Sequence, residues 1–322
     1  MSRSSQLRRL AATSALFTIG AVLVLSLFER IAHQRIVDAQ GENIVGADVY
    51  DVVMRRATAP GPDVERVYIG DSVARQFFPA GQEPNERLRF LTSNATIGLA
   101  GNYYILEDAF RLLPKARDIV LIARPELLKV DLDPPFTSDY FSGFFHTPAR
   151  IAEVWRVKRD PQLTVSQISR FLLPSTLMIN SAWRQQPRGF HATVPGFERR
   201  SRAGAHDVEL SVTGAYFLGR MRALAASRGG TLRVISVPLP DDQMWSDPGG
   251  YFTESFMFVE RRAFGDAVHV STLENGVHWC VGATIAKRFA DRYGLSADLP
   301  VHEPVLSNIC EDPARPFRII GS

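Results

Sequence analysis

Val64-Glu65-Arg66-Val67-Tyr68-Ile69-Gly70-Asp71-Ser72 is the stretch whose reading decides the fold. An apolar run of strand character ends in Gly-Asp-Ser, and Val73-Ala74-Arg75-Gln76-Phe77-Phe78 then reads as the start of a helix. A serine placed there sits at the carboxyl end of a strand and the amino end of a helix, where backbone N–H groups converge and negative charge is favoured. The same amides could hold the oxyanion of an acyl-transfer intermediate. By itself Gly-Asp-Ser also describes an ordinary capped turn, so its meaning depends on what else the chain carries.

Two further blocks bear on it. Near the C-terminus stands Asn275-Gly276-Val277-His278-Trp279, after a short strand-like run at Ala267-Val268-His269-Val270 and before an amphipathic helix over 281–293. Between the two lies Asn94-Ala95-Thr96-Ile97-Gly98-Leu99-Ala100-Gly101-Asn102, an Asn- and Gly-rich turn after a second strand expected at Arg87–Thr92. Together these residues resemble the SGNH (GDSL-type) hydrolase and acyltransferase superfamily. The resemblance implies that Ser72 is the nucleophile, that His278 is the general base, and that the residue three before the histidine orients it. It also gives Gly101, with Asn102 beside it, the place of the oxyanion donor.

The departures are specific. Asn275 stands where the family pattern has aspartate, so the triad would be Ser-His-Asn. Asn275 can accept the imidazole Nδ1–H through its amide oxygen, but it lacks the full charge that stabilises an imidazolium; Glu274 next door is the alternative partner. The third block of the family ends in Gly-x-Asn, whereas here Asp118–Ala123 runs into Arg124-Pro125-Glu126. Arg124 is therefore assigned as the oxyanion or substrate clamp, because a guanidinium offers several fixed donors. Asp71 is expected to fix the turn and the helix start.

At 322 residues, 45% hydrophobic and 22% charged, the chain is long enough to bury a large core. A net charge of +3, with no Lys/Arg tract interleaved with aromatics, gives no case for nucleic acid. Residues 11–28 carry no charge over eighteen positions, which at ~1.5 Å per residue spans roughly the core of a bilayer. Arg3, Arg8 and Arg9 precede this run, placing the N-terminus on the cytoplasmic side. A cleaved signal peptide and a buried core helix are the competing readings. The anchor is favoured over cleavage because no small-x-small site follows Phe28 before Glu29-Arg30. The expected location is thus the inner membrane, single-pass, with the domain in the periplasm or an equivalent space. Cys280 and Cys310 could pair there or remain two separate thiols.

The expected organisation is a cytoplasmic tip and anchor over 1–28, a juxtamembrane helical segment over 29–63 with a second helix near 44–56, and an α/β domain over 64–322. An insertion at about 134–206 interrupts that domain. Helical stretches are expected at Pro148–Val157 and Val165–Leu172, with an aromatic loop before them and a basic stretch over 183–206 behind them. The whole is read as a cap over the active face. Strands alternating with helices predict a parallel sheet with helices on both faces. Under the resemblance this becomes a three-layer, flavodoxin-like SGNH fold with five strands at Val64–Ile69, Arg87–Thr92, Asp118–Ala123, Thr231–Val237 and Ala267–Val270. Helices are placed at Tyr103–Leu113 and Val208–Ser227, and 238–242 as an exposed loop carrying Asp241. Ligands bind at the carboxyl ends of such strands.

No His-x-x-x-His or Cys-x-x-Cys pattern, Walker loop or dinucleotide glycine fingerprint occurs, so neither metal nor cofactor is expected. The function expected is a serine acyltransferase or esterase acting on acyl esters of a cell-envelope polysaccharide or related glycan. The alternative is a non-catalytic domain of the same type that binds glycan or organises an envelope protein complex.

Overall fold

A computed structural model describes residues 3–40, 59–92, 98–132, 147–172, 204–264, 270, 283–300 and 319–320. The chain opens with α1 (Arg3–Gln40), 38 residues and so about 57 Å long. Its segment Leu10–Phe28, 19 residues of mean hydropathy 2.1, is long and apolar enough to cross a membrane. Leu16, Phe17, Val24 and Phe28 are all exposed, so this surface packs on nothing else described. The helix continues past Phe28 without a break to Gln40. The second helix expected near 44–56 lies outside the described residues.

The α/β domain begins with β1 (Arg66–Gly70) and α2 (Ser72–Phe77), then β2 (Leu88–Phe90), α3 (Gly98–Leu112) and β3 (Asp118–Ala123). After α4 (Pro125–Lys129) come α5 (Pro148–Lys158) and α6 (Pro161–Leu172) of the insertion. The chain continues through β4 (Gly204–Asp207), α7 (Val212–Ser227), β5 (Leu232–Ser236), β6 (Leu239–Pro240), β7 (Gln243–Ser246) and β8 (Phe258–Val259). It closes with α8 (Ala283–Tyr293) and β9 (Ile319–Ile320).

The main sheet is parallel, in the order β2-β1-β3-β5. Side chains alternate across it as the period of two requires. Val67 and Ile69 of β1, Ile119 and Leu121 of β3 and Val234 of β5 meet α3 and α7 on one face, through Tyr103, Leu106, Phe110, Phe217 and Met221. Tyr68, Val120, Ile122 and Ile235 meet α2 and α8 on the other, through Val73, Phe77, Ile285 and Phe289. The α8 sequence suits this position: Ile285, Ala286, Phe289, Ala290 and Tyr293 are buried, while Lys287 and Arg288 face outward. Each large apolar side chain so buried is worth roughly 1.5–3 kcal/mol. The result is a sheet between two helical layers.

Several expectations are corrected. The described sheet has four strands, not five. At Val234 the position beside β5 is taken by Thr253, whose N–H donates to the Val234 carbonyl at 2.8 Å and whose Oγ1 accepts from the Val234 N–H at 2.9 Å. Of the expected fifth strand, Val270 alone is described, and it bridges antiparallel to Phe264. The loop expected at 238–242 contains β6, which pairs with β8 and, through it, β9; Leu239 is buried. Residues 204–207, expected in an irregular basic stretch, form β4 and pair with β7. The helix expected from Tyr103 begins five residues earlier, and the one expected from Val208 begins at Val212 behind its Ser211 cap.

Of the insertion helices, α5 is where the sequence places it and α6 begins at Pro161, four residues before the expected Val165; α5 lies against the flank of α3 and α7. Arg150, almost fully buried, reaches Glu107 at 2.9 Å and Asp108 at 2.5 Å, with its guanidinium 4.6 Å above the Tyr104 ring. One turn on, Glu153 accepts from Tyr216 at 2.7 Å and also pairs with Arg220. Charges this buried persist only when each is met by a partner. The aromatic loop before α5 and the basic stretch over 183–203 lie outside the described residues, as do Cys280 and Cys310.

Burial holds five tyrosine hydroxyls above their ordinary value of 10.0. Tyr68 is raised by burial and then by Asp298, Tyr103 by burial and Glu107, and Tyr104 and Tyr216 by burial and Glu153. Tyr293 is pushed up to about 12, again mainly by burial. A pKa raised on folding contributes stability that is complete below the unfolded value and is lost as pH rises through the folded one. Folding stability should therefore be insensitive to these groups below pH 10 and fall above it. In a spectrophotometric titration of the chain's eight tyrosines, these five should ionise above pH 10 in the folded protein or on unfolding. Free titration of all eight near pH 10 in a folded protein would contradict this packing.

Candidate functional site

The site is assembled where the sheet changes direction. From β1 the chain moves to β2 on one side, then crosses back to β3 on the other, a topological switch of the kind beyond whose strand ends ligands bind in open α/β sheets. Gly70 pairs with Ile122 at the end of this ladder, and Ser72 and Arg124 each follow by two residues. The two residues selected from the first and third sequence blocks thus follow directly on the paired ends of β1 and β3.

Gly70 is required by the turn itself. A β-carbon there would stand 2.3 Å from the Ile122 carbonyl oxygen and 2.4 Å from Ala74 Cβ, and φ is +158°. Asp71 is the N-cap of α2, its Oδ1 accepting from the Val73 N–H at 3.1 Å, while its carbonyl accepts from Arg75 at 3.0 Å. Aspartate thus supplies both the cap and the negative charge that the start of a helix favours. Ser72, half-buried, is the first residue of that helix.

Gly101 and Asn102 lie in the opening turns of α3 rather than in a loop. The turn that matters for entry is at Gly98, with φ +51°, where a β-carbon would crowd Val130 at 3.3 Å. Asn102 is fully buried, and its amide nitrogen donates to the Gly98 carbonyl at 2.8 Å. Arg124 is also buried. Its Nε and terminal nitrogen grip the Glu126 carboxylate at 3.1 and 2.7 Å, and it reaches Gln243 Oε1 at 3.4 Å. That oxygen also accepts from Trp245 Nε1 at 3.3 Å. The guanidinium fork is therefore engaged in tying β7 to the end of β3. Asp241, expected at the carboxyl edge, follows β6 and accepts from the Arg261 N–H at 2.9 Å.

His278, Asn275 and Glu274 lie outside the described residues. The chain leading to them is described at Val270, which accepts a 2.9 Å hydrogen bond from Gln76 Nε2. Beyond them, α8 returns to place Phe289 against Phe77, ring centroids 4.6 Å apart. Sequence reading missed Gln76; the available signal was an amide four residues after Ser72, hence on the same helical face, among Val73, Ala74 and Phe77. Among the described residues no group of three or more His, Cys, Asp or Glu side chains is arranged to hold a metal ion.

Comparison of the chain with protein-family models, with curated proteins and with solved structures finds no match.

The Gly70 contact generates a test. Gly70→Ala must displace either the Ile122 carbonyl or α2, a distortion of the kind that costs about 1–3 kcal/mol. Urea denaturation should show that loss. Stability within about 0.5 kcal/mol of wild type would mean that β1 does not approach β3 as described.

Proposed function

We propose that the chain is a membrane-anchored, extracytoplasmic serine acyltransferase or esterase of SGNH type, acting on acyl esters of a cell-envelope polysaccharide or related glycan. The observation that carries this reading is the position of Ser72: first residue of a helix, after a glycine that a tight strand-to-helix turn requires, at the topological switch beyond the carboxyl ends of β1 and β3. Sequence supplies the second half, His278 with Asn275 three residues before it.

In this reading Ser72 Oγ attacks the ester carbonyl while His278 Nε2 takes its proton. The tetrahedral oxyanion is received by backbone amides at the start of α2 and in the opening turn of α3, where Gly101 and Asn102 lie. Collapse expels the alcohol, which leaves with the proton held by His278, and an acyl-Ser72 ester remains. A glycan hydroxyl or water, deprotonated by the same imidazole, then attacks that ester and regenerates the serine. Asn275 accepts the Nδ1–H and fixes the tautomer. Transfer dominates over hydrolysis if closure of the site excludes water.

A second reading has its own support. The Asn102 amide nitrogen is bonded within its helix and the Arg124 fork is engaged by Glu126 and Gln243. Two polar side chains assigned to the oxyanion are thus occupied, and Asn275 replaces an aspartate. These features favour a non-catalytic domain of the same type that binds glycan or organises an envelope complex.

A fluorophosphonate probe distinguishes the two. The catalytic reading expects wild type to label, Ser72→Ala to be silent, and Asn275→Asp to label at least as fast as wild type, because a carboxylate adds charge stabilisation to the imidazolium. A folded wild type that stays unlabelled, with or without gain by Asn275→Asp, supports the non-catalytic domain. The location is tested separately: a C-terminal alkaline phosphatase fusion should be active, and the reverse would end the envelope reading.

A further inference from the structure

Among the described contacts of α2, one is a polar bond deep inside the domain. Gln76 is 1% exposed, lies on the Ser72 face of the helix, and donates from Nε2 to the Val270 carbonyl at 2.9 Å. Val270 is fully buried and bridges antiparallel to Phe264. The neighbouring α2 residue, Phe77, packs on Phe289 of α8. Thus α2 touches the chain both where it departs toward the His278 block and where it returns from it. Apolar packing such as Phe77 on Phe289 tolerates small sliding, whereas a single buried donor aimed at a single carbonyl fixes one register.

We propose that Gln76 is a positioning residue for Ser72: its bond to the Val270 carbonyl sets the placement of the α2 helix relative to Val270 and the Phe264 that Val270 bridges. This rests on the catalytic reading above. A side chain in that role touches neither substrate nor the reacting atoms, so its effect must appear as a loss of nucleophile alignment rather than of binding. A displacement of about an ångström at a reacting centre can cost up to about a hundred-fold in rate.

The test uses the full-length chain in detergent, a fluorophosphonate probe read as separate binding and bond-forming constants, and thermal unfolding. Gln76→Met keeps the length and removes the donor, and Gln76→Asn keeps an amide on a shorter arm. Tyr68→Phe is the control, deleting a different buried bond, that of the Tyr68 hydroxyl to Asp298. The expected result is that Gln76→Met slows phosphonylation of Ser72 about ten-fold or more with probe affinity unchanged, and that Gln76→Asn falls between it and wild type. Tyr68→Phe should lower the melting temperature yet label at the wild-type rate. If Gln76→Met melts lower but phosphonylates like wild type, Gln76 is only a core bond and the proposal is overturned. If Gln76→Met proves unfolded, Gln76→Asn decides by the same criterion. A folded wild type that never labels removes the catalytic reading itself, and the positioning role falls with it. The two failures are therefore told apart by the wild-type reaction.

Discussion

At Gly70 the backbone of β1 comes so close to the Ile122 carbonyl of β3 that no side chain fits between them, and the geometry of the site follows from that contact. The close approach lets the chain leave the sheet at once, so Asp71 can cap and Ser72 can begin a helix only two residues beyond the Gly70–Ile122 pair. It also holds the ends of β1 and β3 level, which places Arg124 opposite at the same height. The parallel ladder upstream fixes the register of both strands: a slip by one residue would send Val67 and Ile69 to the face that Tyr68 occupies. At its other end β1 is held by Asp298, which Arg66 meets at 2.5 Å and which also accepts from the Tyr68 hydroxyl.

Much of this framework was legible because it is written in local patterns. The apolar runs at 66–70, 118–123 and 232–236 and the amphipathic helix at 283–293 can be read directly. What failed depends on contacts distant in sequence. Strands of two residues such as β6 and β8 have no period to detect; they exist because Leu239 and Phe258 lie side by side in the fold. Gly98 and Gly101 suggested a turn, yet the first turns of α3 are buried on every side, and burial overrides the weak helix propensity of glycine. The strand-to-helix turn that carries Ser72 could be read from its motif, whereas the partners of Arg124 could not, since Gln243 is 119 positions away.

The insertion shows the same division. Its helices carry ordinary helical signals, but nothing local says that Arg150 and Glu153 face inward. They do so because α3 and α7 present complementary groups: Glu107 and Asp108 for the arginine, Arg220 and Tyr216 for the glutamate. An apolar interface would hold α5 as firmly, but it would permit several registers. Matched buried charges admit one, because any slide leaves an ion unpaired at a cost of several kcal/mol. The face of α5 that carries Arg150 and Glu153 is thus docked onto the helical layer beside α3, which carries Gly101 and Asn102 at its start.

The shortness of α2 has a consequence for any chemistry at Ser72. A six-residue helix has too few internal hydrogen bonds to be stable on its own, since nucleation is costly and propagation barely begins. Its shape is imposed from outside: by the Asp71 cap at its start, by Thr92 Oγ1 donating to the Phe78 carbonyl at 2.6 Å at its end, and by Val73, Ala74 and Phe77 packed into the core. The serine therefore takes its position from the domain as a whole and not from the helix that bears it. Groups fixed by several independent contacts lose little freedom when a reaction demands one geometry, which is what the proposed role of Ser72 would require. In this chain the same short sequence, Gly-Asp-Ser, is given its rigidity by β3, by the end of α2 and by the core beneath it.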